Sequence, residues 1–252
     1  MFEKGDAVPE MAYNLVTTLL MIFIIRSGSA LVGPGTLRDR RFPWAALSLL
    51  ALAVAGVAVE HSWSGATAAL NNDPARTGWW RPVTAVFLQG DNLAGVVFNL
   101  VMLAVIATLA GWVWGSPATL ALFVAGMLLP SRLDLLGGAS GEVSADPRNF
   151  YGSSGATFFL GATLAAALLI AARTGRQRAL AAAVPVLGSA TWFLQDNAHG
   201  LVSFEGFVLG VLLGVVLGVV RGRVRGKKFE RRTVPVALPQ APLDDVVPGR
   251  RG

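Results

Sequence analysis

The stretch that decides the fold lies at residues 152–172. It reads Gly-Ser-Ser-Gly-Ala-Thr-Phe-Phe-Leu-Gly-Ala-Thr-Leu-Ala-Ala-Ala-Leu-Leu-Ile-Ala-Ala and carries no charged side chain. A helix of about 20 apolar residues is long enough to cross the ~30 Å hydrocarbon core of a bilayer. The segment therefore predicts a transmembrane helix that begins with small residues and a pair of serines.

Similar apolar segments recur along the chain. Apolar residues make up 54% of the 252 residues and charged residues only 14%, against roughly a quarter charged in ordinary globular domains. Because so little charge remains to face water, we predict an all-α polytopic membrane protein and exclude a cytosolic enzyme or a secreted scaffold. Six core spans are predicted, at residues 43–59, 92–114, 117–133, 152–172, 179–195 and 200–220.

One more apolar segment precedes this core. Residues 11–33 are apolar through most of their length but carry Arg26, which leaves a seventh span and a helix lying in the membrane interface as alternatives. We favour an extra transmembrane helix here, after an acidic N-terminal tail at 1–10. The six-helix membrane domain is then expected over 43–221, followed by a basic, disordered tail at 222–252.

The distribution of charge predicts an orientation. The whole net charge of +6 arises after residue 220, and other arginines cluster before the first core span and between the fourth and fifth. With six core spans these basic segments share one side, which the positive-inside rule makes cytoplasmic. We therefore expect an integral protein of the plasma membrane, in contact with the lipid bilayer, whose cytoplasmic tail faces anionic lipid rather than nucleic acid.

Few residues are able to carry chemistry. The chain has no cysteine and two histidines, His61 and His199, which excludes thiol catalysis and a multi-histidine metal site; nothing predicts a cofactor. At the start of the fourth span, Gly152 and Ser153 precede Ser154. Small residues at a helix N-terminus let backbone amides approach an oxygen, and the helix dipole favours negative charge there. This arrangement suits Ser154 as a nucleophile, with its oxyanion donors beside it.

Two further features point to the same region. Asn99 lies inside the second predicted span, where a polar side chain is costly unless paired, so it is either an interhelical contact or a functional residue. Glycines recur every fourth residue along the last span, and the fourth span offers a comparable small face, which allows close helix packing. The residues of these two faces are Gly206, Gly210, Gly214 and Gly218, and Gly155, Gly161, Ala162 and Ala165. We predict that the two helices pack together and bring Ser154 near the start of the last span.

Together these residues resemble the rhomboid family of intramembrane serine proteases. The resemblance covers about residues 43–220: six spans, a long first external loop with Trp80-Arg81, a Gly-x-Ser-Gly sequence opening the fourth span, and a small-residue sixth span. It implies a six-helix rhomboid-like core, Ser154 as the nucleophile and Asn99 as an oxyanion residue.

The family's histidines are missing at their usual positions. The His-x-x-x-Asn pattern of the second span reads Gly95 and Asn99 here, and an earlier Phe-Leu-His string reads Gln89. In the sixth span the family has a histidine that serves as general base. Phe207 stands at that position here, or Ser203 if Gly206 and Gly210 are aligned as the family's glycine pair. The chain thus resembles a divergent member of the family.

Three hypotheses for the function follow. A serine hydroxyl is a poor nucleophile without a base, so the first is a rhomboid-like pseudoprotease that binds or escorts the transmembrane segments of other proteins. The second is an active intramembrane serine protease in which His199 serves Ser154 as an atypical base. His199 is expected in a solvent-facing loop, eight residues or about 12 Å of helix from Phe207. The third, a small-molecule transporter, requires charged or broken helices at mid-membrane.

Overall fold

The chain folds into helices throughout the part that the structure, a computed structural model, describes: residues 7–35, 40–73, 75–90, 92–136, 151–195 and 197–230. No strand occurs within these ranges, which confirms the predicted all-α fold for them. The helices, in chain order, are α1 (Ala7–Val32), α2 (Trp44–Ser62), α3 (Ala66–Leu70), α4 (Arg81–Ala85), α5 (Leu93–Val113), α6 (Ser116–Leu136), α7 (Ser154–Ala171), α8 (Gly175–Gln195) and α9 (Ala198–Glu230).

Every predicted span coincides with one of the seven long helices. Five of them contain a segment long and apolar enough to cross a membrane: Met11–Val32, Trp44–Ser62, Leu93–Val113, Ser154–Ala171 and Ala198–Val216. The apolar part of α6 is shorter, at Ser116–Pro130, and α8 carries Arg176 and Arg178 in its first turn. The chain is therefore an α-helical integral membrane protein.

Helix α7 lies at the centre of the bundle. It packs against α1, α5, α6 and α8, and 67% of its span is buried inside the protein, against 22–33% for the other four. Its Gly161 lets α1 approach closely, because a Cβ there would overlap the side chain of Ile24. Leu20 and Ile24 of α1 are fully buried. The N-terminal helix is thus packed into the bundle and contributes side chains to its hydrophobic core.

Glycines on α9 allow it to touch the backbone of α7. A Cβ on Gly206 would overlap the carbonyl of Phe159, and one on Gly210 would lie 2.8 Å from the Cα of Thr163. The predicted packing of these two helices is confirmed. One residue of the predicted face of α7 is wrong, because Gly161 turns towards α1; the residues that meet α9 include Phe159 and Thr163.

The close approach of α9 to α7 predicts how a substitution at Gly206 changes stability. We expect Gly206→Ala to lower the free energy of unfolding by about 1–3 kcal/mol, since the new methyl group meets a backbone carbonyl that cannot move aside. Gly111→Ala on α5 is the matched control, because no described atom lies within 4 Å of a Cβ there. Thermal unfolding in detergent measures both, and equal melting temperatures for the two variants would contradict the packing.

The predicted external loop at 60–91 contains the two short helices α3 and α4. Glu60, near the end of α2, holds the far end of this loop: its carboxylate accepts hydrogen bonds from the backbone N–H groups of Gln89 (2.7 Å) and Gly90 (3.2 Å). The hydroxyl of Thr67 donates to the same carboxylate at 3.2 Å. The chain therefore enters α5 from a fixed position. Of residues 134–151, which connect the third and fourth predicted spans, the described part is the end of α6 and Tyr151.

The predicted boundary of the basic tail is wrong. Helix α9 continues through its first basic residues to Glu230, so 222–230 is helical; arginine, lysine and valine are tolerated in helices, and a glycine costs only about 1 kcal/mol. The contacts within the chain separate it into two compact units, Met1–Gly214 and Val215–Gly252. The predictions for 231–252, and for 1–6 of the acidic tail, fall outside the described residues.

Candidate active site

The starts of α7 and α9 meet on one side of the bundle. Ser154 is the first residue of α7 and His199 the second residue of α9. The Nε2 atom of His199 lies 2.8 Å from the Oγ of Ser154, within hydrogen-bond distance. The expectation that His199 lies in a solvent-facing loop is therefore wrong.

The reason lies in where α9 begins. The helix starts at Ala198, two residues before the predicted span, so His199 belongs to its first turn. His199, Ser203 and Gly206 are spaced by four and three residues and share one helix face, and Gly206 packs that face against α7. Phe207, eight residues after His199, is buried in the hydrophobic core two turns further along the helix.

Glycines also bring α8 and α9 together at this end of the bundle. A Cβ on Gly200 would overlap the hydroxyl of Thr191 and the carbonyl of Gly188, and one on Gly188 would lie 2.9 Å from the carbonyl of Gly200. The helices therefore touch through their backbones next to His199. This contact fixes the direction in which the first turn of α9 points.

Asn197 caps α9 and also contacts the histidine ring. Its Oδ1 accepts a hydrogen bond from the backbone N–H of His199 at 3.0 Å and lies 2.9 Å from His199 Nδ1. Asn197 is fully buried. Sequence reasoning missed this residue, although asparagine immediately before a helix is a typical N-cap and predicts a helix start at Ala198.

Two aromatic side chains complete the surroundings of the ring. The hydroxyl of Tyr13, on α1, lies 3.3 Å from His199 Nδ1, and the ring of Phe158 meets the imidazole edge-on with centroids 4.9 Å apart. The histidine thus contacts α1, α7 and the cap of its own helix. His61, the second histidine of the chain, is exposed near the end of α2.

The turn before α7 places Asn99 beside the serine. Gly152 has a backbone φ of +111°, which strongly favours glycine, and its N–H donates to the carbonyl of Ala85 at 2.9 Å. A Cβ built on Gly152 would lie 3.5 Å from Ser154 Oγ and 3.8 Å from Asn99 Nδ2. The hydroxyl and the amide therefore border the same small space.

The other predicted positions have different surroundings. Ser153 is fully buried, and its Oγ accepts a hydrogen bond from Gln89 Nε2 at 3.2 Å, so its side chain connects the start of α7 to the segment that precedes α5. A Cβ on Gly95 would contact, among the described residues, only the side chain of Asn92, at 3.9 Å. No described side chain fills the place of the missing histidine at Gly95.

The surroundings of the serine indicate what chemistry the site is built for. Within the described ranges no group of three or more histidine, aspartate or glutamate side chains is placed to hold a metal ion. What the site offers is a hydroxyl against an imidazole, an amide donor and a helix N-terminus.

Comparison with family models, curated proteins and solved structures found no match to this chain.

Proposed function

We propose that this protein is an intramembrane serine endopeptidase in which Ser154 is the nucleophile and His199 the general base. The observation that carries the proposal is the 2.8 Å separation of His199 Nε2 and Ser154 Oγ. A nucleophile and a base within hydrogen-bond reach are the signature of an activated serine. The pseudoprotease hypothesis rested on the lack of a base near Ser154, and this geometry removes that premise.

The reaction follows from the positions of the groups. As Ser154 Oγ attacks the carbonyl carbon of a peptide bond, its proton passes to His199 Nε2, and the carbonyl oxygen becomes an oxyanion. Asn99 Nδ2 and the N-terminus of α7 supply hydrogen-bond donors and positive potential for that oxygen. The imidazolium then protonates the leaving amine, and a water molecule deprotonated by the same imidazole hydrolyses the acyl-enzyme.

The place of the site in the membrane favours a particular class of substrate. The site is formed by the starts of apolar helices, so a peptide bond must enter it from, or close to, the bilayer. We propose the transmembrane segments of other proteins as substrates, and α2 with α5–α9 as a rhomboid-like six-helix core to which α1 is added. By the positive-inside rule the arginines between α7 and α8 are cytoplasmic, so the site, at the other end of α7, faces outward across the plasma membrane; the same rule assigns the basic C-terminal tail to the cytoplasm.

The test uses the purified full-length chain in liposomes. We expect a fluorophosphonate probe to label the wild type and a peptide containing one transmembrane segment to be cleaved. Both signals disappear in Ser154→Ala, because that change removes the only oxygen that forms the covalent intermediate. Ser64→Ala, which alters an exposed serine in the loop after α2, is the matched control and keeps both signals.

One result would favour the inert binding protein instead. If the folded wild type is neither labelled nor able to cleave, while it binds transmembrane peptides equally well with and without the Ser154 hydroxyl, the proposed endopeptidase is rejected.

A further inference from the structure

The orientation of the Asn197 side chain is fixed by a group whose role is certain. A backbone N–H only donates, and the N–H of His199 points at one terminal atom of the Asn197 side chain at 3.0 Å. That atom is therefore the amide oxygen, and the amide nitrogen points the other way. It lies 2.8 Å from the hydroxyl oxygen of Thr17 on α1.

This orientation determines which ring nitrogen carries the proton. Asn197 Oδ1 also lies 2.9 Å from His199 Nδ1, and an amide oxygen only accepts, so the favourable contact requires a proton on Nδ1. In the neutral ring Nε2 then holds a lone pair. It faces Ser154 Oγ, as a general base must.

Helix α1 completes the arrangement. The hydroxyl of Thr17 donates to the carbonyl of Tyr13 at 2.8 Å, which leaves its oxygen lone pairs available for the amide of Asn197. Each hydrogen bond therefore points in one direction, from Ser154 through His199 and Asn197 to Thr17. Asn197 is fully buried, so water does not compete for its oxygen, and bonds in such a chain strengthen one another.

We propose that Asn197 and Thr17 are positioning residues that hold His199 in its Nδ1–H tautomer, and that α1 is thereby part of the active site. The inference rests on the proposed function for its catalytic meaning. The tautomer itself is a property of the folded protein at rest.

The experiment reads the tautomer directly. The chain has two histidines, so a His61→Gln background labelled with ¹⁵N-histidine gives the signals of His199 alone. In detergent micelles, at a pH where the ring is neutral, we expect a protonated Nδ1 and an unprotonated Nε2. Asn197→Ala moves population to the Nε2–H form, and kcat for a transmembrane peptide falls about 10–100-fold, part of what a general base contributes, with KM little changed.

Matched variants separate positioning from folding. Asn197→Asp keeps an acceptor at both the cap and the ring, so it preserves the Nδ1–H signals. Thr17→Val moves population towards the Nε2–H form, whereas Thr18→Val leaves the spectrum unchanged, because the exposed Thr18 hydroxyl bonds only back to the carbonyl of Asn14 among the described residues.

Two results overturn the inference: an Nε2–H ring in the protein with native Asn197, or a spectrum that Asn197→Ala does not change in a folded protein. The predicted tautomer together with an absence of proteolysis would instead reject the endopeptidase and leave the positioning role intact. The two proposals therefore fail separately.

Discussion

Alanine in place of His199 is expected to lower kcat for a transmembrane peptide by about 10²–10⁴-fold, the usual contribution of a general base. The imidazole is the group that lies 2.8 Å from Ser154 Oγ, and without it the hydroxyl keeps its proton during attack. KM should change little, because the ring acts on the enzyme's own nucleophile. Initial rates in liposomes, measured over a range of substrate fractions in the lipid, give both constants.

The control for this prediction is the other histidine. His61→Ala changes an exposed side chain near the end of α2 and should keep wild-type kcat and KM. Thermal unfolding of His199→Ala must remain cooperative, which shows that the loss is one of chemistry and not of fold. A folded His199→Ala variant that cleaves at the wild-type rate would mean that Ser154 has another activator or that the reaction uses another residue.

Hydropathy was sufficient to locate the seven long helices that the structure describes. In lipid, a segment such as 152–172 is able to pair its backbone polar groups within itself only by forming a helix. Each predicted span therefore coincides with a helix in the structure. The glycines of α9 likewise predicted a close helix contact, because small residues at a spacing of four are typical of closely packed membrane helices.

The candidate active site was only partly predictable. Ser154 and Asn99 stand out because a serine after glycine at a helix start and an asparagine in an apolar span are each costly or rare. The predicted position of His199 was wrong because the start of a helix is harder to predict than its middle. Helix α9 begins two residues before the predicted span, which puts His199 in its first turn and not in a loop. Tyr13 and Thr17 gave no sequence signal at all, since the residues that they contact lie 186 and 180 positions further along the chain.

Asn99→Asp is expected to lower kcat by about 10²–10³-fold, the usual effect of removing one oxyanion donor. The two side chains have the same shape, but a carboxylate donates no hydrogen bond and repels the developing oxyanion. Asn99 Nδ2 borders the space next to Gly152 and Ser154 Oγ, where that charge arises. The variant should also react more slowly with a fluorophosphonate, because phosphonylation places negative charge on an oxygen in the same place.

Asn92, the N-cap of the same helix, supplies the comparison that separates the oxyanion role from a purely structural one. Its side chain caps α5 by accepting a hydrogen bond from the N–H of Ala94 at 3.1 Å, so Asn92→Ala should cost about 1 kcal/mol of stability and leave kcat unchanged. If Asn99 is only an interhelical contact, Asn99→Asp should behave in the same way, with a lower melting temperature and normal kcat. The oxyanion role predicts the opposite pattern, in which catalysis and probe labelling fall together while the melting temperature changes little.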